Sequence, residues 1–271
     1  MKRITLFTGL LALCIFVQAQ NKLTPELLWK IGRVSDEKVS PDGSTVLFGV
    51  SYYDLEANKG NRDLYSIRLK LPGNKGKNAI KAGNMVKITN TPESEYNAVW
   101  RPDGAKIGYL SAKSGEMQFW EMNPDGSGAT QVSAFPGGIS NFAYAPDGKK
   151  ISFTMDVKLD ETVNEKYPDL PMANARIIDD LMYRHWNQWH DYAYSHVFYA
   201  TYENGQVGDA IDIMPNERFD SPLNPFGGVE QIEWSTDGQT LVYTCKKLNG
   251  LAYTESTNSD LYAYDPVSYT H

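Results

Sequence analysis

The sequence is poor in cysteine and has no long apolar span. Of its 271 residues, only Cys14 and Cys245 are cysteines. The main apolar run, residues 4–17, is shorter than the roughly 20 apolar residues that a helix needs to cross a bilayer, so no membrane-spanning helix is predicted. Cys14 lies inside this run and follows Leu13, where a lipoprotein signal would have a small residue. A lipid anchor is therefore not expected.

The same run predicts export. Lys2 and Arg3 precede it, and Val17 and Ala19 supply the small residues of a cleavage site. We expect a signal peptide over residues 1–19 and a periplasmic or secreted bacterial protein, without membrane attachment after cleavage. Cys245 then remains alone, so no internal disulfide is expected in the mature chain.

Basic charge is scarce. The formal net charge is −7, and loss of Lys2 and Arg3 leaves 24 basic and 33 acidic residues, a net charge of −9. An acidic surface argues against nucleic acid or an anionic membrane as a partner. The basic cluster at residues 70–87 is interleaved with glycine and asparagine and offers no aromatic stacking surface. We interpret it as a solvated loop.

Motifs for several kinds of chemistry are absent. No Gly-x-Ser-x-Gly segment, which exposes the nucleophile of an α/β-hydrolase, occurs in the sequence. His185, His190 and His196 are spaced by five and six residues, which keeps them off one helical face. No Cys or His-Glu-x-x-His pattern adds zinc ligands, and no glycine-rich nucleotide motif is present. The sequence thus predicts no catalytic residue, metal or cofactor.

A short turn phrase occurs four times. Proline presets the first turn position, aspartate bonds to its own backbone, and glycine adopts the left-handed conformation. Each copy precedes an apolar run typical of a β-strand, so each predicts a hairpin. The copies are Val39-Ser40-Pro41-Asp42-Gly43, Trp100-Arg101-Pro102-Asp103-Gly104, Tyr144-Ala145-Pro146-Asp147-Gly148 and Trp234-Ser235-Thr236-Asp237-Gly238.

The spacing of these turns predicts a propeller. Their aspartates are 61, 44 and 90 residues apart, and a repeat of roughly 40–45 residues with four short strands is typical of a β-propeller blade. The expected fold is all-β: a partial propeller of about four four-stranded blades over residues 35–271, cut short at His271 and preceded by a lead-in helix within residues 20–34. The clearest copy predicts strands at residues 97–101, 106–110, 118–123 and 129–132, and the third-strand pattern recurs at residues 63–67, 196–200 and 260–264.

The 90-residue interval favours an insertion over an extra blade, because it contains a single third-strand pattern. Residues 157–195 lack strand alternation. Pro168 and Pro171 are followed by residues 172–189, whose apolar positions 178, 181, 182, 186 and 189 are close to helical spacing. We therefore predict a partly helical insertion at residues 157–195.

Candidate binding residues lie in this insertion. Trp186 and Trp189 either pin it to the propeller or line a lid or pocket wall, since insertions in repeat proteins often fall on the binding face. Arg184, a guanidinium among aromatic residues, is suited to hold a carboxylate or a peptide carbonyl. Arg184, Trp186 and Trp189 are the predicted substrate-binding residues.

Two segments carry a family resemblance. Both are similar to segments of secreted serine peptidases of the prolyl oligopeptidase family. One is the entry Leu23-Thr24-Pro25-Glu26-Leu27-Leu28, which leads through Arg33-Val34-Ser35-Asp36 to the first turn phrase. The other is the insertion Asp179-Asp180-Leu181-Met182-Tyr183-Arg184-His185-Trp186, which is followed by His196-Val197-Phe198. The likeness covers the whole chain. It is greatest to the dipeptidyl-peptidase and acylaminoacyl-peptidase-like members of Bacteroidetes-type bacteria.

The resemblance implies a propeller that caps an α/β-hydrolase domain with a Ser-Asp-His triad and gates the access of peptides to it. The chain stops before such a domain, so no catalytic residue is carried over and the chain alone is expected to be inactive. Peptide substrates and the protein's own C-terminal hydrolase domain are the implied partners. The alternative is a non-catalytic TolB-like periplasmic propeller that binds protein partners, and the sequence beyond His271 distinguishes the two.

Overall fold

The computed structural model describes residues 23–70 and 81–271, so the predicted signal peptide and residues 71–80 lie outside the described residues. Helix α1 (Pro25–Lys30) precedes four antiparallel sheets, which we call blades 1 to 4. Blade 1 contains β1 (Arg33–Val39), β2 (Thr45–Asp54), β3 (Lys59–Lys70) and β4 (Lys81–Lys87), and blade 2 contains β5 (Glu95–Trp100), β6 (Ile107–Ser111), β7 (Gln118–Met122) and β8 (Thr130–Gln131).

Blade 3 is interrupted by the insertion. It begins with β9 (Ser140–Tyr144) and β10 (Lys150–Lys158), is followed by α2 (Val163–Lys166) and the hairpin strands β11 (Arg184–His185) and β12 (Gln188–Trp189), and resumes with β13 (Ala193–Glu203), β14 (Gln206–Val207) and β15 (Ile211–Asp212). Blade 4 follows a 3-10 turn (Val229–Gln231) and contains β16 (Ile232–Trp234), β17 (Leu241–Cys245) and β18 (Asp260–Tyr264), with α3 (Gly250–Glu255) between the last two strands. The helices of the described residues are at most six residues long, and none could span a membrane.

The four predicted turns occupy equivalent places, as the sequence analysis expected. Each joins the first and second strands of its blade. In each, the glycine N–H donates to the carbonyl three residues earlier at 2.8–2.9 Å, and the aspartate Oδ1 accepts from the amide two residues later at 2.9–3.0 Å. The glycine φ angles lie between 67° and 71°, the left-handed region that a Cβ disfavours. These glycines are Gly43, Gly104, Gly148 and Gly238.

The hydrophobic cores lie between neighbouring blades. Because side chains alternate along a strand, Ile107 and Tyr109 of β6 pack on Leu47 and Leu64 of blade 1, whereas Leu110 joins a cluster shared with blade 3. A third cluster is shared by blades 3 and 4. The central strands of blades 2 and 3 are thus buried on both faces over most of their length, which explains why the apolar runs after their turns are not simply alternating. Repeated sheets that share cores in this way form a partial β-propeller.

Most strand predictions are confirmed, with one exception in blade 1. The three recurrent third-strand patterns lie in β3, β13 and β18. Lys81–Lys87, which we interpreted as part of a solvated loop, instead forms β4 and pairs with β3. This strand lies at the sheet edge and almost all of its residues are exposed, so it has no apolar alternation for a pattern to detect.

The boundaries of the elements differ slightly from those predicted. In the lead-in, α1 is limited to Pro25–Lys30, and blade 1 already begins at Arg33. Strands β10 and β13 extend further than expected, so the segment between them is residues 159–192 rather than 157–195. We call residues 159–192 the insertion. It connects the second and third strands of blade 3, and therefore lies at the blade end opposite the four glycine turns.

Candidate functional site

The insertion is mostly irregular. Its helical part is the single turn α2, capped by Thr162 and Glu165, which accept hydrogen bonds from each other's backbone N–H. The helix suggested by the apolar spacing of residues 172–189 is not formed. Arg184 and Trp189 instead face each other across the short hairpin β11–β12. The apolar side chains at residues 177–183 are exposed, so they do not form the buried stripe that stabilises a surface helix.

One end of the insertion is held by Asp160. Its carboxylate accepts from Arg218 Nε at 2.8 Å and from the Tyr194 hydroxyl at 2.7 Å. Burial disfavours the charge of Asp160, but these two partners outweigh it and lower the pKa of Asp160 below its usual range. The Leu159 and Asp160 amides both donate to the Tyr192 carbonyl. Asp160 thereby links the start of the insertion to the loop that follows β15.

The other end of the insertion meets the same loop through His190. Its Nε2 lies 3.7 Å from Asp220 Oδ2, an ion-pair distance too long for a hydrogen bond. The Asp220 carboxylate raises the pKa of His190, with Asp160 and Asp191 adding to the effect. Asp220 is itself fixed, because its Oδ1 accepts from the Ser195 amide at 2.9 Å.

Blade 4 supplies a third contact. The Gly250 amide donates to the Leu181 carbonyl at 3.1 Å. The Asp180 Oδ1 atom lies 2.5 Å from the position that a Cβ on Gly250 would occupy. Gly250 has a φ of +59°. Glycine is therefore favoured here by the backbone conformation, whereas the Asp180 side chain could move away from a larger residue.

A cavity of about 590 Å³ lies under the insertion. Its walls come from three parts of the chain: the insertion itself, the loop between β15 and β16, and the connection between β17 and β18. Polar side chains in the wall include Asp160, Arg184, His190, Arg218, Asp220 and Lys246. Lys246 is engaged by the carbonyls of Tyr253 and Ser256. The volume is in the range of sites that hold small ligands or peptide segments.

The three predicted binding residues all border this cavity. Arg184 is exposed, its Nε donates to the Trp186 carbonyl at 2.9 Å, and its guanidinium carbon lies 5.2 Å from the centre of the Trp189 ring. Arg176 lies 4.8 Å from the same ring and is paired with Asp191. Trp189 is thus a platform for two guanidinium groups, of which one has a carboxylate partner.

Trp186 does not pin the insertion to the blades. It is 69% exposed, and its ring contacts Phe226 edge-to-face at 5.7 Å. Phe226 is 81% exposed and belongs to the loop between β15 and β16. The two aromatic rings form an apolar surface beside the cavity, and apolar surface left in water at such a place is typical of a contact site.

Sequence reasoning missed the loop of residues 213–231, which contributes Arg218, Asp220 and Phe226 to this region. Its contacts with the insertion are separated by 30 to 60 residues, so no local pattern reports them. Three prolines, Pro215, Pro222 and Pro225, and the absence of strand alternation mark it as a long loop. Such loops are often functional, and this signal could have identified it.

Comparison with known proteins extends these observations. No family model matches the chain. Dipeptidyl-peptidase 5 of Porphyromonas gingivalis is 40% identical over 246 residues, covering 91% of this chain and 34% of that protein. Dipeptidyl-peptidase 5 of Porphyromonas endodontalis is 33% identical over 245 residues, covering 90% and 34%. Acylaminoacyl peptidase of Pyrococcus horikoshii superposes with a TM-score of 0.56 at 13% identity, covering 88% of this chain and 32% of that one.

The blades and their shared cores define the class of fold, a partial β-propeller. The relatives confirm the predicted resemblance: over about nine tenths of its length, this chain is similar to the two dipeptidyl-peptidases named above. The structural match at 13% identity supports the fold alone. The chain spans about a third of the length of these relatives.

Proposed function

We propose that the chain is the propeller portion of a secreted serine exopeptidase of the dipeptidyl- or acylaminoacyl-peptidase type. In this proposal the complete protein continues into an α/β-hydrolase domain, and the insertion borders the route by which peptides reach it. The observation that carries the proposal is the 40% identity to a dipeptidyl-peptidase over 91% of the chain. Identity at that level over nearly all the blades supports a common role.

In this proposal, the catalytic chemistry belongs to the hydrolase domain. Among the described residues, no histidine nitrogen is hydrogen-bonded to a serine hydroxyl. His196 is engaged by Asp212 and the Glu217 carbonyl, and His190 faces Asp220. A serine nucleophile needs a base within hydrogen-bond reach that is oriented by a third group. This part of the protein is therefore assigned to binding and access, and the triad to the hydrolase domain.

Arg184, Trp186 and Trp189 are the proposed peptide contacts. An extended peptide presents carbonyl groups and apolar side chains, and these three residues offer a guanidinium and two exposed aromatic surfaces at one cavity. The insertion reaches the cavity from one side, and the loop with Phe226 from the other. In this proposal, peptides that enter between them are held near blade 3.

The test is hydrolysis by the complete gene product, including any sequence beyond His271. We expect release of chromophore from dipeptidyl or acyl-aminoacyl substrates, and loss of this activity with a serine-directed inhibitor. Residues 20–271 alone are expected to be inactive. If the complete protein shows no inhibitor-sensitive hydrolysis, the non-catalytic binding role of the TolB-like alternative replaces the peptidase.

Export is a separate part of the proposal. It rests on the basic residues, the apolar run and the small residues of the first 19 positions. Mass analysis of the mature N-terminus is expected to find Gln20 or a residue within one or two positions of it. A mature protein that retains Met1, or that carries lipid on Cys14, would contradict this part alone.

A further inference from the structure

Arg184 differs from the other arginines of the cavity region in having no acidic partner. Arg176 is paired with Asp191 at 2.8 Å, and Arg218 with Asp160 at 2.8 Å. No ion pair between described residues includes Arg184, although its guanidinium is held in place by the Trp186 carbonyl and by the Trp189 ring. Its Nε donates to the Trp186 carbonyl, and its two terminal nitrogens donate to no acceptor among the described residues. The guanidinium of Arg184 is therefore oriented and charged, and its terminal N–H groups face no described acceptor.

Such a group has a preferred ligand. The fork of a guanidinium matches the two oxygens of a carboxylate, and a charge-assisted pair of this kind is stronger than a neutral hydrogen bond. Orientation before binding adds to affinity, because the side chain loses less freedom when the ligand arrives. Two acidic groups of the cavity wall are already engaged, since Asp160 is occupied by Arg218 and Tyr194, and Asp220 faces His190. The wall also contains Glu161, Asp179 and Asp180, and no ion pair between described residues joins any of them to Arg184.

We propose that Arg184 binds a carboxylate of the peptide, which makes it a specificity-determining residue for acidic or short peptides. The proposal rests on the proposed peptidase function and deepens it. Two sources supply the same chemistry. One is the C-terminal carboxylate of a short peptide, and the other is an Asp or Glu side chain within a longer peptide.

The experiment compares paired peptides on the complete protein. One arm uses peptides of increasing length, each as the free acid and as the C-terminal amide. The other arm uses amidated peptides with Asp or Asn, or with Glu or Gln, at successive positions. For the matching carboxylate we expect kcat/KM to exceed that of its neutral counterpart by about 10-fold, the ratio given by about 1.4 kcal/mol. A C-terminal source gives a ratio that peaks at one peptide length, and a side-chain source gives one that peaks at one position.

Variants assign the effect to Arg184. Arg184→Gln is expected to reduce the acid-to-neutral ratio to about 1, and Arg184→Lys to leave an intermediate ratio, because lysine keeps the charge and loses the fork. Arg33→Gln is the matched control. Arg33 also lies over aromatic rings, 5.0 Å from Trp29 and 4.4 Å from Tyr53, and does not border the cavity. Its substitution is expected to preserve the ratio.

Each outcome decides the inference. A ratio near 1 in the unmodified protein, or a ratio retained in folded Arg184→Gln, overturns it. Folding of the variants is checked by their melting temperatures. If the complete protein hydrolyses none of the chromogenic substrates, the proposed function fails, and calorimetric binding of the same acid and neutral peptides decides the carboxylate site separately. Equal binding of acid and neutral forms would then reject it.

Discussion

Blade 3 and the insertion that interrupts it use aromatic residues in opposite ways. In the core shared by blades 2 and 3, Phe119 and Phe142 are fully buried and stack at 4.2 Å. In the insertion, Tyr183 is 42% exposed and Trp186 is 69% exposed. Both regions are rich in aromatic residues, but the blade residues are enclosed by a sheet on either side. The comparison indicates that aromatic content alone does not identify a core.

Their histidines show the same contrast. His196 on β13 is fully buried, with Nδ1 at 2.9 Å from Asp212 and Nε2 at 2.7 Å from the Glu217 carbonyl. Both partners are acceptors, so they favour the form in which both ring nitrogens carry protons and the imidazole is charged. His190, six residues earlier in the insertion, is 29% exposed and has one acid at 3.7 Å. The blade histidine is thus held by two hydrogen bonds, whereas the insertion histidine makes one weak ion-pair contact.

The largest expected effect tests the aromatic contrast directly. Phe119→Ala is expected to lower the free energy of unfolding by about 3–5 kcal/mol, because it leaves a cavity in a core that cannot collapse between two sheets. Phe226→Ala, the same substitution at a residue that is 81% exposed, is expected to change it by about 0.5 kcal/mol or less. Chemical denaturation of the complete protein measures both. Similar losses for the two variants would show that the loop beside the insertion is part of a core.

The next effect concerns the two histidines. His196→Gln leaves Asp212 without its buried charged partner and is expected to cost about 3–5 kcal/mol of stability, the range for breaking such a pair. His190→Gln removes a partly exposed pair and is expected to cost about 1 kcal/mol or less.

The pH dependence of stability has a definite sign. Burial opposes the charge of His196, but Asp212 and Glu217 outweigh it and raise the pKa of His196 above 6.5. The folded state then binds the proton more tightly than the unfolded state, so this contribution is complete below about pH 6.5 and is lost as pH rises through the higher folded-state pKa. Denaturation curves across this range are expected to show decreasing stability for the unmodified protein and a smaller slope for His196→Gln. An unchanged slope would contradict a charged His196.

The blades could be predicted from sequence because their information is local. Aspartate and glycine at fixed places, preceded by proline in three of the four copies, determine each turn, and the apolar runs on either side mark the strands. Strand β4 was not predicted, because an exposed edge strand pairs through its backbone groups and needs no apolar face.

The insertion could not be predicted in the same way. Its apolar residues are close to helical spacing, but Trp186 has a left-handed φ of 47° and lies at the tip of a hairpin. Its position depends on contacts with Arg218, Asp220 and Gly250, which are distant in sequence. The sequence therefore identified the insertion and its candidate residues, whereas the cavity wall opposite them required the fold.

The smallest expected effect on overall stability is that of Arg218→Gln, which tests whether the insertion opens independently of the blades. Arg218 and Asp160 join the insertion to the loop after β15, but their side chains are 57% and 36% exposed. Arg218→Gln is therefore expected to lower the free energy of unfolding by less than about 1 kcal/mol. Regions held by few contacts open without global unfolding, so the same substitution should still loosen the insertion. Hydrogen exchange is expected to accelerate at the Leu159 and Asp160 amides, which donate to the Tyr192 carbonyl, while the amides of β6 and β7 keep their protection. Arg218→Lys, which retains the charge, should give a smaller acceleration. A large fall in melting temperature, with faster exchange in blade 2, would mean that the insertion and the blades unfold as one unit.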